Sequence, residues 1–311
     1  MAQTSKNIDL IGTPVDVGAG RRGCVMGSEA LRVADLEATL VSLGFGVIDH
    51  GNLRPVADPA IKLKGAALNA PEIAGWTRAI EEAACRSMQR GAFPVFLGGD
   101  HSLSMGSVSG VARYAAGAKR PLFVLWLDAH SDYNTPATSP SGNMHGMPVA
   151  FFCGEAGFDG ILPAGRPLVP AKNVFQLGIR SIDPAERDAV SLRGVNVYDM
   201  RTVDERGAAA IMRDIIRTVA EAGGMLHVSL DVDFLDPDVA PGVGTTVPGG
   251  ATVREAHLVM EMLCDSGFVA SLDLVELNPF LDDRGKSARV MVELAASLFG
   301  RRIFDRPTQS A

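Results

Sequence analysis

Short apolar, β-rich runs alternate with helical segments along this chain. The runs lie near residues 6–12, 45–50, 93–98, 121–128, 173–178, 195–199, 225–231 and 269–276. Strands separated in this way by helices predict a parallel sheet covered by helices, an α/β fold. Between the strands the helices carry recognisable punctuation. Pro71 lies near the start of one and Gly91 just past its end, while Thr252 with Glu255 makes a capping box that opens another. No long linker or repeated block interrupts the pattern, so one domain over 1–311 is expected. Two stretches depart from the alternation, 134–143 and 154–170, both rich in Gly, Pro or small polar residues. Long loops at strand ends are where open α/β proteins place their binding surfaces.

Polar residues of one chemical kind gather where three of the runs end. The run 93–97 leads through Gly98 and Gly99 to Asp100 and His101; 122–127 leads to Asp128, His130 and Asp132; 225–230 leads to Asp231 and Asp233. Side chains two apart in an extended segment point the same way, so Asp128, His130 and Asp132 can converge on one point, as can Asp231 and Asp233, with Ala129, Ser131 and Val232 turned aside. The candidate metal ligands are therefore His101, Asp128, His130, Asp132, Asp231 and Asp233. Four carboxylates and two imidazoles suit two divalent ions of the hard to borderline kind, and the absence of a nearby thiolate disfavours zinc. A water held between two such ions loses a proton near neutral pH and becomes a nucleophile. A single Asp after a strand is usually a turn former or helix cap. Compatible ligands at three strand ends are what favour the metal reading. A calcium loop is excluded, because Leu235 and Asp236 stand where that pattern needs an oxygen ligand and then Gly.

Composition narrows the setting. A chain of 311 residues with 47% hydrophobic content can bury a substantial core. Cys24, Cys85, Cys153 and Cys264 are scattered without paired spacing, which argues against a disulfide framework or structural zinc and makes a reducing, cytoplasmic location the expectation. No apolar stretch reaches the roughly 18 residues of a membrane span, so no membrane partner is expected. A net charge of -7 works against nucleic-acid binding and is compatible with a small cationic substrate. Gly18, Gly20 and Gly23 spell the glycine pattern of a dinucleotide-binding turn after the apolar run 8–11. Its context is wrong, however. Pro14 and further residues separate run from glycines, the helix is expected only after Ser28, and Asp49 fills the acidic position loosely. A loop at the site rim is the alternative.

With these residues in place, the chain resembles the arginase family of the ureohydrolase superfamily. The matching segments span 98–105, 128–149, 229–250 and 271–279, and the second, DAHSDYNTPATSPSGNMHGMPV, is the most specific. Agmatinases resemble it at the ligands but differ in the loop that follows. The resemblance implies a single-domain open three-layer sandwich with an eight-stranded parallel sheet flanked by helices. It implies two Mn2+ per chain, one held by His101, Asp128, Asp132 and Asp231, the other by Asp128, His130, Asp231 and Asp233, so that Asp128 and Asp231 bridge. The implied reaction converts L-arginine and water to L-ornithine and urea, by attack of a metal-bridging hydroxide on the guanidinium carbon. A homo-oligomer, trimer or hexamer, is also implied.

Roles for further residues follow from the same resemblance. Asp132 passes a proton to the leaving amine, Glu276 holds the guanidinium, and His145 is the proton shuttle, a task suited to imidazole. Asn134, Ser139, Ser141 and Asn143 offer donors for an α-carboxylate. Asp183 and Glu186 match positions that meet the α-amino group, although with Pro184 they also read as a helix start. Thr245 resembles a residue beside the guanidinium. Ser181 departs from the carboxylate of the animal enzymes, which puts one contact near the amino group in doubt. Hydrolysis of a different guanidino compound would keep the metals and change the loop, and a nonenzymatic metal- or nucleotide-binding protein is the rival of another class.

Overall fold

The computed structural model describes residues 7–304. Residue 6 of the first apolar run and the tail after Phe304 lie outside the described residues. The strands are β1 (Asn7–Thr13), β2 (Gly46–Asn52), β3 (Phe93–Gly98), β4 (Leu122–Leu127), β5 (Val174–Ile179), β6 (Asn196–Asp199), β7 (Met225–Asp231) and β8 (Val269–Val275). They form one 8-stranded sheet in the order β2-β1-β3-β8-β7-β4-β5-β6. Every pairing is parallel. The expected fold class therefore holds, and each apolar run became a strand within a residue or two of its expected bounds. Runs without polar alternation make sense here, because a parallel strand with helices on both faces is buried on both.

Two hydrophobic cores sandwich the sheet. Leu10, Leu97, Leu125, Leu230 and Leu274 face a core shared with Leu36, Ile211, Ile215, Leu263 and Met291 of the helices Leu36–Ser42, Ala208–Glu221, Val253–Ser266 and Lys286–Leu298. Ile11, Phe96, Val124, Trp126 and Val275 face the other, with Ile80, Val108 and Phe152 from Ala70–Gln89, Ser104–Gly117 and Pro148–Cys153. Strand residues alternate between the two cores, which is the period of two made visible. Pro71 lies in the first turn of Ala70–Gln89, Gly91 follows that helix at φ 76°, and Glu255 closes the capping box with Thr252. The first helical turns begin earlier than expected, with Cys24–Met26 running into Gly27–Val33. Among the described residues no helix is long and apolar enough to cross a membrane, and the four cysteines are unbridged.

The strand order decides where the chemistry lies. β3, β8, β7 and β4 are adjacent at the sheet centre, and their C-terminal ends carry His101, Glu276, Asp231 with Asp233, and Asp128 with His130 and Asp132. β7 connects to β8 on one side and β4 to β5 on the other, so the ends of β7 and β4 flank a switch point, the kind of place where open α/β sheets bind ligands.

At the opposite end of β1, the buried Asp9 accepts hydrogen bonds from Ser87 at 2.6 Å and Arg90 at 2.7 Å and lies 3.0 Å from His50 Nε2. Burial favours its neutral form, but these partners outweigh burial and hold its pKa below the ordinary carboxylate value. A depressed folded pKa stabilises the protein above the unfolded value and loses that contribution as pH falls through the folded one. Asp9→Asn should therefore destabilise the chain at neutral pH by about 1–3 kcal/mol, with the difference shrinking below about pH 4. Urea denaturation at several pH values would reveal a constant difference if Asp9 is not ionised in the fold.

Candidate metal centre

The six expected ligands do meet. His101 Nδ1 lies 3.0 Å from Asp128 Oδ2, 3.2 Å from Asp132 Oδ2 and 3.0 Å from Asp231 Oδ2. Beside this group, His130 Nδ1 lies 3.0 Å from Asp233 Oδ2 and 3.5 Å from Asp128 Oδ1. His101, Asp128 and Asp231 form one set able to hold a cation, and Asp128, His130 and Asp233 form a second. Asp128 belongs to both, one oxygen to each. Asp231 turns Oδ2 to the His101 set, while its Oδ1 accepts the Asp233 N–H at 2.8 Å.

Convergence is reached by a different route from simple extended alternation. β4 ends at Leu127, and Asp132 takes φ 50°, a left-handed turn that swings its carboxylate back toward His101. Val232–Phe234 is a turn of 3-10 helix, so Asp231 caps it and Asp233 lies within it. The intervening residues do turn aside: Val232 is buried in the first core, and Ser131 donates to Gln176 Oε1 at 2.9 Å. Glu276, just past β8, also has a left-handed φ of 62°. Such conformations cost about 1–3 kcal/mol in a residue other than glycine and tend to persist at functional sites.

Several outer contacts orient these ligands. His101 Nε2 meets Ser229 Oγ at 2.7 Å, and the His101 ring stacks on Trp126 with centroids 3.9 Å apart. The Ala129 N–H donates to Asp233 Oδ1 at 3.0 Å and Thr245 Oγ1 to Asp233 Oδ2 at 3.3 Å. His101 Nδ1 and Asp128 Oδ2, both deeply buried, are left without a hydrogen-bond partner. Burial and mutual repulsion raise the Asp231 and Asp233 carboxyls above their ordinary range, and burial with the Asp128 charge raises Asp132 to about 6. Burial works the same way on Asp128, but His101 and His130 outweigh it and hold that carboxyl below its usual range. Orphaned buried donor atoms, crowded carboxylates and an oxygen-rich set with two imidazoles all fit a pair of divalent cations.

Above this floor is a cavity of about 140 Å³. Every residue expected to meet substrate lines it: Asn134, Ser139, Ser141, Asn143, Asp183, Glu186 and Thr245, together with Asp132, His145 and Glu276. Glu276 is buried, and its Oε1 accepts the His101 N–H at 2.8 Å and lies 2.9 Å from His145 Nδ1. Burial alone would raise its pKa, yet His145 and the His101 N–H reverse the sign and keep it ionised. For His145 burial acts downward, but Glu276, Asp132 and Asp100 prevail and lift it to about 9. Asp183 and Glu186 serve two purposes. Glu186 accepts the Asp183 and Tyr133 N–H groups at 3.0 and 2.9 Å, closing the helix cap, and Asn134 Nδ2 donates to Asp183 at 3.1 Å. Ser181 lies beside the site, bridging His130 in a short parallel pairing.

The glycine pattern serves this site. Asp100 is fully buried and accepts the Gly18 and Ala19 N–H groups at 2.8 and 3.2 Å, while the Gly18 carbonyl accepts the His145 N–H at 3.1 Å. A Cβ on Gly18 would fall 2.6 Å from Asp100 Oδ1, and one on Gly20 2.9 Å from Asn143 Nδ2. Close approach to the rim, rather than a phosphate cradle, is what these glycines allow. Asp100, Ser229 and Trp126 had escaped the reading as site residues. Ser229 left a signal: His227, Ser229 and Asp231 recur at every second position of a strand otherwise apolar.

Comparison with known proteins agrees with this geometry. The arginase of Brucella melitensis is 55% identical over 302 residues, covering 97% of this chain and 98% of that protein. The native structure of Bacillus caldovelox arginase superposes with a TM-score of 0.88 at 39% identity, covering 96% of this chain and 99% of the other. An Entamoeba histolytica arginase solved in complex with L-ornithine gives a TM-score of 0.85 at 26% identity, covering 97% of this chain and 100% of the other. The family model described as the arginase family matches residues 6–300, and the chain belongs to that family.

Proposed function

We propose that this protein hydrolyses L-arginine to L-ornithine and urea with two Mn2+ bound by His101, Asp128, His130, Asp132, Asp231 and Asp233. The observation that carries the reading is one cavity lined by Asp128, His130, Asp132 and Asp231 of the ligand cluster, by Glu276 and His145, and by the Asn134, Ser139, Ser141 and Asn143 donors. Relatives at 55% identity named arginase support the reaction, and the L-ornithine complex of the Entamoeba histolytica protein supports the product. We further propose a cytoplasmic homo-oligomer, trimer or hexamer, on the strength of the family resemblance.

A guanidinium is never deprotonated in water near neutrality, and its delocalised charge makes it a poor target for a neutral nucleophile. When bound, the two cations supply a water that ionises near neutral pH. The protein's own residues do the rest. Ionised Glu276 faces the guanidinium and orients its carbon over the floor by a charge-assisted hydrogen bond. Asp132, at the floor of the cavity, passes a proton to the amine, which leaves well only when protonated. His145, cationic at neutral pH, moves protons between the cavity and solvent. Asp183 and Glu186 meet the α-amino group, and Asn134, Ser139, Ser141 and Asn143 meet the α-carboxylate.

Elemental analysis of purified protein, paired with urea release from L-arginine and a panel of guanidino acids, tests the reading. Two divalent ions per chain and preference for L-arginine are expected. Absence of a bound pair, or faster turnover of another guanidino acid, would overturn it. For His145→Ala both ions should remain while turnover falls by about 10²-fold, the lower end for loss of a positioned acid or base. In the wild type the imidazolium is present below about 9 and lost above it. The variant's rate profile should lack the inflection near that pH, and an unchanged profile removes the proposed role.

A further inference from the structure

From His101 a chain of polar side chains runs between β7, β8 and the helix Ser104–Gly117. His227 and Ser229 of β7 pair in register with Ser271 and Asp273 of β8, and all four side chains are fully buried. Ser104 and Ser107, also fully buried, reach the same place from the helix Ser104–Gly117. Asp273 Oδ2 accepts from Ser104 Oγ at 2.7 Å and Ser107 Oγ at 2.6 Å, and lies 3.1 Å from His227 Nε2. His227 Nδ1 meets Ser271 Oγ at 2.7 Å. Ser104 Oγ lies 3.4 Å from Ser229 Oγ, which in turn is 2.7 Å from His101 Nε2. A carboxylate with its partners costs stability in an apolar layer unless it earns its place through specificity or chemistry.

The direction of the hydrogen bonds supplies that chemistry. Asp273 Oδ2 accepts from both the Ser104 and Ser107 hydroxyls, so the single proton of Ser104 is given to Asp273. Ser104 then has only lone pairs to offer Ser229, which donates to it and is left to accept from His101 Nε2–H. A histidine with its proton on Nε2 presents a bare lone pair at Nδ1, the atom that faces Asp128 and Asp231. We propose that Asp273 is a positioning residue for the metal centre: acting through Ser104 and Ser229, it fixes the tautomer of His101 that can bind a cation. This rests on the two-metal reading above.

Asp273→Asn tests it, because an amide of the same shape can donate to Ser104 and reverse the chain. Titration of the metal-free protein with Mn(II), with the two sites resolved calorimetrically, should show the His101-side ion weakened about 10–100-fold, the range for outer partners of a ligand. The His130-side ion should be less affected. In the chain loaded with a diamagnetic divalent ion, ¹⁵N shifts of the His101 ring should report Nε2–H in the wild type and its loss in Asp273→Asn, which a merely structural role would not produce. Ser104→Ala and Ser107→Ala keep the proposal testable should Asp273→Asn not fold. Both remove a fully buried hydroxyl bonded to the same carboxylate oxygen, but only Ser104 lies on the path to His101. Selective weakening of the His101-side ion in Ser104→Ala, with Ser107→Ala close to wild type, supports the proposal. Equal effects of the two, or a full-affinity pair of ions in Asp273→Asn, overturn it while leaving the two-metal reading intact. A wild-type chain that binds no pair of ions overturns both.

Discussion

Asp128→Asn should lose both cations and lower urea release from L-arginine by more than about 100-fold, whereas His101→Asn should weaken one ion preferentially. Loss of even an outer partner of a metal ligand costs about 10–100-fold, and Asp128 stands at the junction of the two candidate sets. One of its oxygens faces His101 at 3.0 Å and the other faces His130 at 3.5 Å. An amide in its place keeps one carbonyl acceptor and turns an NH₂ toward the remaining position. It also removes a negative charge that would balance both dications. His101 reaches Asp128, Asp132 and Asp231 but belongs only to the first set, so its loss leaves His130, Asp128 and Asp233 in place. Ion content per chain after dialysis separates the cases, and equal retention of two ions by both variants would contradict the shared role of Asp128.

Agmatine, which lacks the α-carboxylate, should be hydrolysed about 10³-fold less efficiently than L-arginine, as kcat/KM. A site built for a polar group it does not receive can reject the deficient analogue by about 10⁴–10⁵-fold when the orphaned donors are fully buried. Here the donors are at a rim. Asn134 is buried, Ser139 and Asn143 are half-buried, and Ser141 is exposed, so water can satisfy some of them. The lower figure follows. The rim is nevertheless preset for a carboxylate: Ser139 Oγ accepts the Gly142 N–H at 3.0 Å and Ser141 Oγ the Asn143 N–H at 3.2 Å, which leaves each O–H to donate. Agmatine keeps the guanidinium for Glu276, so the loss should be read with the metals fully loaded. Comparable turnover of the two substrates would remove the 134–143 loop from substrate choice.

Much of this was legible in local pattern. Apolar runs marked the strands because both faces of a parallel sheet are covered, and Asp128, His130, Asp132, Asp231 and Asp233 stood out because ionisable residues rarely cluster at the ends of such runs. The caps at Pro71, Thr252 and Asp183 were equally local. The polar alternation of His227, Ser229 and Asp231 was visible too, but within a run read as apolar it carried no partner, since Asp273 and Ser104 lie far away in sequence. Asp100 stood at a strand end without a role of its own, and only the folded loop of Gly18 and Ala19 reveals what it accepts.

By itself the sequence determined the element types, the identity of the candidate ligands and the placement of each cluster at a strand end, because these depend on periodicity and side-chain identity over a few residues. The tertiary structure alone decided that β3, β8, β7 and β4 are neighbours, and so brought His101, Glu276, Asp231 and Asp128 together from segments far apart in the chain. It also decided the left-handed turns at Asp132 and Glu276. Strand order and strained dihedrals are set by long-range pairing and by the packing of helices on both faces, and those energies have no local signature.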